Sequence, residues 1–234
     1  MFYLTEDVSK ELLVIMAFRG SGKSTILNLS YALWAIMGVQ EKKLVVILSK
    51  TRAQSRDHFL NIKRELESND LLKSDLGPFK EDAGQWDTYA LELPLFDAKI
   101  VCASVEQSVR GLRHGAHRPD LIICDDVEDS VSVASEATRE NTYNWFVNEI
   151  LPLGSIGTKI IVIGNLLHED SLLMRLKYRM KEKGIFRAYP LLDDAGCILW
   201  PGKFPSVRAV KSLKESIGDH RMWAIEYLLK ICPE

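Results

Sequence analysis

The chain has 234 residues, of which 47% are hydrophobic and 26% charged, and its formal net charge is −2. That length suffices for one globular core, and the charge gives no general electrostatic case for nucleic acid, so any such contact would be local or shared among subunits. No apolar run is long enough for a membrane span, and no basic signal segment is present. Four widely spaced cysteines without a C-x-x-C pair favour reduced thiols in a cytoplasmic setting.

Near-continuous apolar runs alternate with helical patterns along the chain. Strands are predicted at 12–17, 44–49, 99–104, 121–125 and 159–164, and helices at 23–37, 51–68, 135–150, 169–183, 206–217 and 219–230. This alternation predicts an α/β fold with a mostly parallel central sheet covered by helices on both faces. Residues 70–98 are less regular and predict a β-hairpin or loop excursion. We expect a core over 1–190 and a small helical subdomain over 191–234.

The first strand runs into a glycine-rich turn that opens the first helix. Residues 17–25 read Ala-Phe-Arg-Gly-Ser-Gly-Lys-Ser-Thr. In this context backbone N–H groups and the helix N-terminus bind phosphates. Lys23 would reach the β- and γ-phosphates and Ser24 would hold Mg²⁺. The expected nucleoside triphosphate-binding residues are Ala17, Arg19, Gly20, Ser21, Gly22, Lys23, Ser24 and Thr25.

One residue of this loop departs from the G-x-x-x-x-G-K-[ST] pattern. Ala17 stands at the first glycine position. A Cβ costs little there if the backbone keeps an ordinary β-type φ, because only a positive φ penalises it. We therefore expect the phosphate loop to form with Ala17 in place.

Several arginines are candidates for stabilising charge on the γ-phosphate. Arg19 lies inside the phosphate loop, where it could act within its own subunit. Arg110 and Arg113 lie in a basic segment before the fourth predicted strand, and one of them could serve a neighbouring subunit. A solvated basic loop is the competing interpretation for each of these arginines.

An acidic cluster follows the fourth predicted strand. Residues 120–129 read Asp-Leu-Ile-Ile-Cys-Asp-Asp-Val-Glu-Asp. A carboxylate at the end of such a strand holds Mg²⁺ in phosphate-loop ATPases, and a nearby one polarises the attacking water. We expect Asp125 to hold the metal together with Ser24. Asp126 occupies the usual position for the water-activating residue, but Glu128 has the longer reach, and we favour Glu128.

The fifth predicted strand ends at Gly164-Asn165. A polar side chain at this edge can sense the γ-phosphate and transmit its presence to the following helix. An ordinary turn asparagine is the competing interpretation.

Taken together, these motifs resemble the ATPase domain of the large terminase subunit of tailed bacteriophages. The similarity rests on four segments: 17–25; Arg-Gly-Leu-Arg followed by Arg-Pro-Asp-Leu-Ile-Ile-Cys-Asp-Asp, at 110–113 and 118–126; Gly-Asn followed by His-Glu-Asp-Ser-Leu, at 164–165 and 168–172; and Leu-Trp-Pro-Gly-Lys with Trp-Ala-Ile-Glu-Tyr-Leu, at 199–203 and 223–228. The order of these segments is more specific than any one of them.

The resemblance implies an ASCE-type (RecA-like) P-loop fold that uses ATP and Mg²⁺ to move double-stranded DNA into a procapsid. It also implies a homo-oligomeric ring on a portal, a small terminase subunit as partner, and the host cytoplasm as location. Gly164 and Asn165 match the family's coupling segment, and Arg19 matches its loop arginine. Because the family's nuclease domain would begin near Glu234, we expect an ATPase domain without a nuclease centre.

Two other functions remain open from the sequence. A superfamily-2-like, nucleic-acid-dependent ATPase would be expected to have a second RecA-like domain, which this sequence lacks. A nucleotide-binding module that uses ATP only to assemble a ring would bind the nucleotide without turnover. Hydrolysis measurements distinguish this second alternative from a motor.

Overall fold

A computed structural model describes residues 1–7, 9–79, 86–180 and 184–231, and within them one seven-stranded sheet has the order β3-β4-β2-β5-β6-β1-β7. The strands are β1 (Leu12–Ala17), β2 (Leu44–Ser49), β3 (Ala90–Leu93), β4 (Ala98–Ser104), β5 (Leu121–Asp125), β6 (Lys159–Gly164) and β7 (Gly184–Tyr189). All neighbouring strands pair in parallel except β3 and β4. The predicted α/β class with a mostly parallel sheet is confirmed.

All five predicted strands are present. The two edge strands of the sheet, β3 and β7, are not among those five. Strand β7 pairs with β1 and was not predicted, because its residues are half-buried or exposed and lack a continuous apolar run. Strand β3 is four residues long and forms with β4 the hairpin considered for the irregular region. Residues 80–85 of that region lie outside the described part of the chain.

The six predicted helices lie near their predicted positions, although residues 181–183 of one of them lie outside the described part of the chain, and two short helices, Phe2–Thr5 and Asp70–Leu76, were not predicted. The helices are α1 (Phe2–Thr5), α2 (Thr25–Tyr31, wound as a π-helix, then Ala32–Met37), α3 (Arg52–Ser68), α4 (Asp70–Leu76), α5 (Glu136–Trp145, continued by a π-helical turn at Phe146–Ile150), α6 (Leu172–Arg179), α7 (Val207–Ile217) and α8 (His220–Glu226). Thr51 and Ser135 begin α3 and α5 with capping boxes. None of the helices in the described ranges is long and apolar enough to cross a membrane.

Two apolar layers cover the sheet. One packs α2 and α3 on the first face, where Leu27, Tyr31 and Phe59 are buried against the strands. The other packs α5 and α6 on the second face, around residues such as Phe146 and Leu173. Because both faces are covered, β2, β5 and β6 are buried along their whole length.

A third, smaller apolar cluster joins residues 191–231 to the sheet. Phe18, which directly follows β1, is fully buried there with Leu191, Val210 and Trp223. Its ring also lies 5.6 Å from that of Trp200, edge to face. The segment after β7 therefore packs directly on the turn that follows β1.

The cysteines in the described ranges are unpaired. Cys102 and Cys124 are buried in β4 and β5, as predicted, whereas Cys197 is exposed. Burial raises the pKa of the Cys102 thiol to about 12, so it stays protonated. Cys232 lies outside the described residues.

Candidate functional site

The site lies where the parallel strands end at their carboxyl termini. The sheet places β6 between β1 and β5, so the loop after β1, the acidic residues after β5 and the residues after β6 meet at one edge. The predicted phosphate loop, acidic cluster and Gly164-Asn165 segment are therefore brought together. Clefts at this edge are where ligands bind in open α/β sheets.

The turn between β1 and α2 has the backbone that a phosphate loop needs. Gly20 and Gly22 adopt φ values of 80° and 81°, a region that a side chain at Cβ disfavours. Ala17 is the last residue of β1 and is fully buried, in register with Tyr189 of β7. Its strand conformation explains why a Cβ is accepted at this position.

Lys23 joins the three strand ends. Its Nζ lies 2.9 Å from Oδ2 of Asp126 and donates to Oδ1 of Asn165 at 3.0 Å. The lysine is buried, so its positive charge is satisfied by groups after β5 and β6. A phosphate group placed beside Lys23 would compete for the same ammonium.

Asp125, at the end of β5, is a buried carboxylate with 2% of its side chain exposed. Burial alone would raise the pKa of Asp125, but the side chains of His58 and Ser24 and the charge of Lys23 hold that pKa below its usual value. One of its oxygens, Oδ2, accepts a hydrogen bond from Asn28 Nδ2 at 2.6 Å. The carboxyl is therefore charged at neutral pH.

The other oxygen of Asp125 fits the predicted Mg²⁺ site. Oδ1 is buried and finds no hydrogen-bond partner among the described residues. A buried carboxylate oxygen without a donor is costly unless a ligand satisfies it, and oxygen ligands are those that Mg²⁺ prefers. With the neighbouring Ser24 hydroxyl, this donor set suits a hard divalent cation.

Glu128 lies in a different environment from Asp126. Both of its carboxylate oxygens accept the backbone N–H of Leu172 at 2.9 Å, at the start of α6. Burial raises the pKa of Glu128 to about 7, although backbone N–H groups of Leu172 and Leu173 partly offset this. Glu128 thus connects the acidic loop to α6, whereas Asp126 faces Lys23.

Gly164 allows a close approach between the acidic loop and α6. A Cβ on Gly164 would come 2.9 Å from Cδ1 of Leu173 and 3.3 Å from Oδ1 of Asp126. Asp126 also donates its N–H to the carbonyl of Ile163, which fixes the turn after β5 against β6. A side chain at position 164 would therefore separate these elements.

Arg19 points to the C-terminal segment. Its Nη1 lies 2.9 and 2.8 Å from the two carboxylate oxygens of Glu226 in α8, and its backbone N–H donates to the carbonyl of Glu226. The Nζ of Lys203 donates to the carbonyl oxygen of Gly20 at 2.6 Å. Two parts of the segment after β7 are thereby attached to the phosphate loop.

Arg110 and Arg113 are not brought to the phosphate loop of this chain. Arg110 pairs with Glu149 at 3.3 Å. Arg113 is exposed and precedes His114, whose Nε2 lies 3.4 Å from Asp97 at the beginning of β4. Because that is the amino-terminal edge of the parallel strands, Arg113 lies towards the edge opposite the site.

Four residues at the site were not predicted from the sequence. Asn28 follows Ser24 by one helical turn, and this spacing could have placed it on the same face. His58, Lys203 and Glu226 have no local signal, because each reaches the site through tertiary packing.

No protein-family model matches the sequence, and no curated protein matches it significantly. Solved structures do match. The HK97 bacteriophage large terminase has a TM-score of 0.61 at 13% identity, over 95% of this chain and 47% of the other. A point mutant of the Thermus phage P74-26 large terminase ATPase domain has a TM-score of 0.60 at 12% identity, over 96% and 90%.

A third match is the large terminase of the thermophilic bacteriophage D6E in complex with ADP. Its TM-score is 0.59 at 14% identity, over 97% of this chain and 50% of the other. The chain thus spans about half the length of the HK97 and D6E proteins. At these identities the likeness concerns the fold, and this chain has the α/β fold of phage large terminase ATPase domains.

Proposed function

We propose that the chain hydrolyses ATP as the motor part of a machine that moves double-stranded viral DNA into a procapsid. The observation that carries this proposal is the contact of Lys23 with Asp126 and Asn165, because it places a phosphate-loop lysine beside a carboxylate and an amide from two further strand ends. The matched fold of phage terminase ATPase domains, including one in complex with ADP, supports the same function.

In this proposal each side chain has a definite role. Lys23 leaves Asp126 and Asn165 to hold the terminal phosphates, and the glycine-rich turn presents its N–H groups to them. Mg²⁺, held by Ser24 and Asp125, would neutralise negative charge on the phosphates. Asn165 then reports the loss of the γ-phosphate to α6, which begins seven residues later.

The contacts of the two candidate carboxylates support a choice between them for the residue that orients the attacking water. Asp126 contacts Lys23, so it becomes available beside the phosphates once the lysine has moved. Glu128 is bound to the N-terminus of α6. These contacts support Asp126 as the water-orienting residue, in place of our initial preference for Glu128, which we assign to positioning α6.

The arginines divide between two roles. Arg19 acts within its own subunit, because it lies in the phosphate loop. Arg110 or Arg113 is offered to a neighbouring subunit in a ring on the portal, since neither contacts the loop of its own chain. The ring, the portal, the small terminase subunit and DNA are partners in this proposal.

Steady-state ATP hydrolysis measured against protein concentration tests the proposal. We expect specific activity to rise with concentration, and Lys23→Ala, Asp126→Asn and at least one of Arg110→Ala and Arg113→Ala to lower that activity by about 100-fold or more. Activity that is independent of concentration and insensitive to both Arg110→Ala and Arg113→Ala would contradict a shared site. Nucleotide binding and ring assembly without turnover would favour an assembly module instead.

A further inference from the structure

The two oxygens of the Asp125 carboxylate have different surroundings. Oδ2 accepts from Asn28 Nδ2 at 2.6 Å and lies 3.3 Å from Nε2 of His58. Oδ1 is buried without a partner among the described residues. The hydrogen bond from Asn28 and the contact with His58, both on one oxygen, restrain the rotation of the carboxylate about its Cβ–Cγ bond. They thereby decide which oxygen is left for a ligand.

The side chain of Asn28 provides another buried acceptor without a partner in the described part of the chain, in addition to Oδ1 of Asp125. Its side-chain oxygen Oδ1 is also buried and unpartnered within the described ranges, and the residue is 2% exposed. The amide orientation is set by Asp125, because the reverse orientation would place an oxygen against the carboxylate. An amide oxygen that is buried without a donor destabilises the folded protein, so this position favours a ligand that carries hydrogen-bond donors.

The position of Asn28 agrees with the position of the metal site. Asn28 lies four residues after Ser24, the residue that precedes α2, and both residues line the same groove. Asn28, Ser24 and His58 also line one open polar groove of about 360 Å³ between α2 and α3. The groove therefore opens to solvent beside the three residues that surround the Asp125 carboxylate.

We propose that Asn28 and His58 are positioning residues of the Mg²⁺ site. They hold Asp125 with Oδ1 free for the hydrated cation, and Asn28 Oδ1 accepts a hydrogen bond from a water bound to the cation. The inference rests on the proposed function, because it presupposes that Mg²⁺ and a nucleotide bind beside Ser24. It adds α3 to the site, since His58 belongs to that helix.

The test is a Mg²⁺ titration of the binding of a fluorescent ADP analogue, with the same binding measured in EDTA. The wild type is compared with Asn28→Ala, His58→Ala, His58→Gln and the control Asn61→Ala. Asn61 is an exposed asparagine that lines the same groove on α3, and neither of the contacts to Asp125 described above involves it. Thermal melting of each variant establishes that it is folded.

We expect Asn28→Ala and His58→Ala to raise the Mg²⁺ concentration for half-maximal effect by about tenfold or more, as loss of such supporting contacts does at other metal sites. Affinity in EDTA stays unchanged, because Lys23 and the loop hold the phosphates. His58→Gln should keep the Mg²⁺ midpoint close to the wild-type value, since the glutamine amide supplies a donor. Asn61→Ala should not change the midpoint.

Three results would overturn the inference: an unchanged Mg²⁺ midpoint in folded Asn28→Ala and His58→Ala, an equal loss with and without Mg²⁺, or an equal shift in Asn61→Ala. If Asn28→Ala does not fold, the pair His58→Ala and His58→Gln decides alone. A wild type that binds no nucleotide, or binds it independently of Mg²⁺, would instead overturn the proposed function.

Discussion

Arg19 and Glu226 are 207 positions apart in the sequence, yet Nη1 of Arg19 contacts both carboxylate oxygens of Glu226. The pair attaches α8 to the phosphate loop. If Arg19 contacts the triphosphate as we propose, nucleotide binding and pairing with Glu226 compete for the same guanidinium.

Replacement of Glu226 by glutamine should release Arg19 and tighten ATP binding. The arginine of the pair is largely exposed, so the pair is worth about 0.2–1 kcal/mol, and the affinity should rise up to about fivefold. Fluorescence titration with a labelled ATP analogue measures this change. Glu215→Gln in α7 removes the same charge from an exposed site and should leave the affinity unchanged. Equal changes in both variants would contradict competition for Arg19.

Asp126→Asn and Glu128→Gln should separate the two candidate catalytic carboxylates. If Asp126 orients water, Asp126→Asn should lower the rate constant of hydrolysis by about 100-fold or more without loss of nucleotide binding. Glu128→Gln should lower it less than tenfold, because the amide oxygen can still accept the Leu172 N–H. Single-turnover hydrolysis measures both.

Asp129→Asn is the matched control for this comparison. Asp129 belongs to the same acidic run, but its side chain accepts from the backbone N–H of Ser132 and lies 3.5 Å from Lys50. We expect nearly wild-type turnover. A larger loss in Glu128→Gln than in Asp126→Asn would restore Glu128 as the water-activating residue.

Glu128 should also make stability depend on pH. Its pKa rises from 4.5 to about 7 on folding, so between these values the folded protein keeps a proton that the unfolded chain releases. Stability relative to Glu128→Gln should therefore fall as the pH rises through this window and level off above it. At about 1.4 kcal/mol per pKa unit, the total change is on the order of 3 kcal/mol.

Urea denaturation of both proteins at several pH values between 4 and 8 measures this difference. A difference in stability that does not vary with pH would show that Glu128 titrates at its ordinary pKa in the folded protein.

Asp170 should stabilise the connection between β6, α6 and α5. Its carboxylate accepts from Arg175 at 2.8 Å and from Arg139 at 3.0 Å, and these contacts hold the pKa of Asp170 well below its usual range. Asp170→Asn should lower the free energy of unfolding by about 1–2 kcal/mol at pH 7. Because the folded pKa is depressed, this contribution is present above about pH 4 and declines as the pH falls further.

Chemical denaturation at pH 7 and at pH 3 tests this prediction. Asp194→Asn is a suitable control, because Asp194 pairs with Lys230 at a fully solvated position. An effect of Asp170→Asn no larger than that of Asp194→Asn would mean that the arginine contacts contribute little.

The sequence by itself determined the elements that depend on neighbouring residues. The apolar runs of β1, β2, β5 and β6 mark strands buried on both faces, and the spacing of glycines before Lys23 marks a phosphate loop. The edge strand β7 lacked such a signal because only part of its surface is buried.

Only the tertiary structure decided which of the predicted residues meet. The insertion of β6 between β1 and β5 brings Asn165 and Asp126 to Lys23, and packing of α3 and α8 brings His58 and Glu226 to the same edge. The different contacts of Asp126 and Glu128 also depend on α6, since a backbone N–H at the start of that helix binds only Glu128 of the two carboxylates. Such contacts join residues that are distant along the chain. These contacts form because the apolar faces of the helices and the sheet are buried together, and no pattern among neighbouring residues in the sequence predicts them.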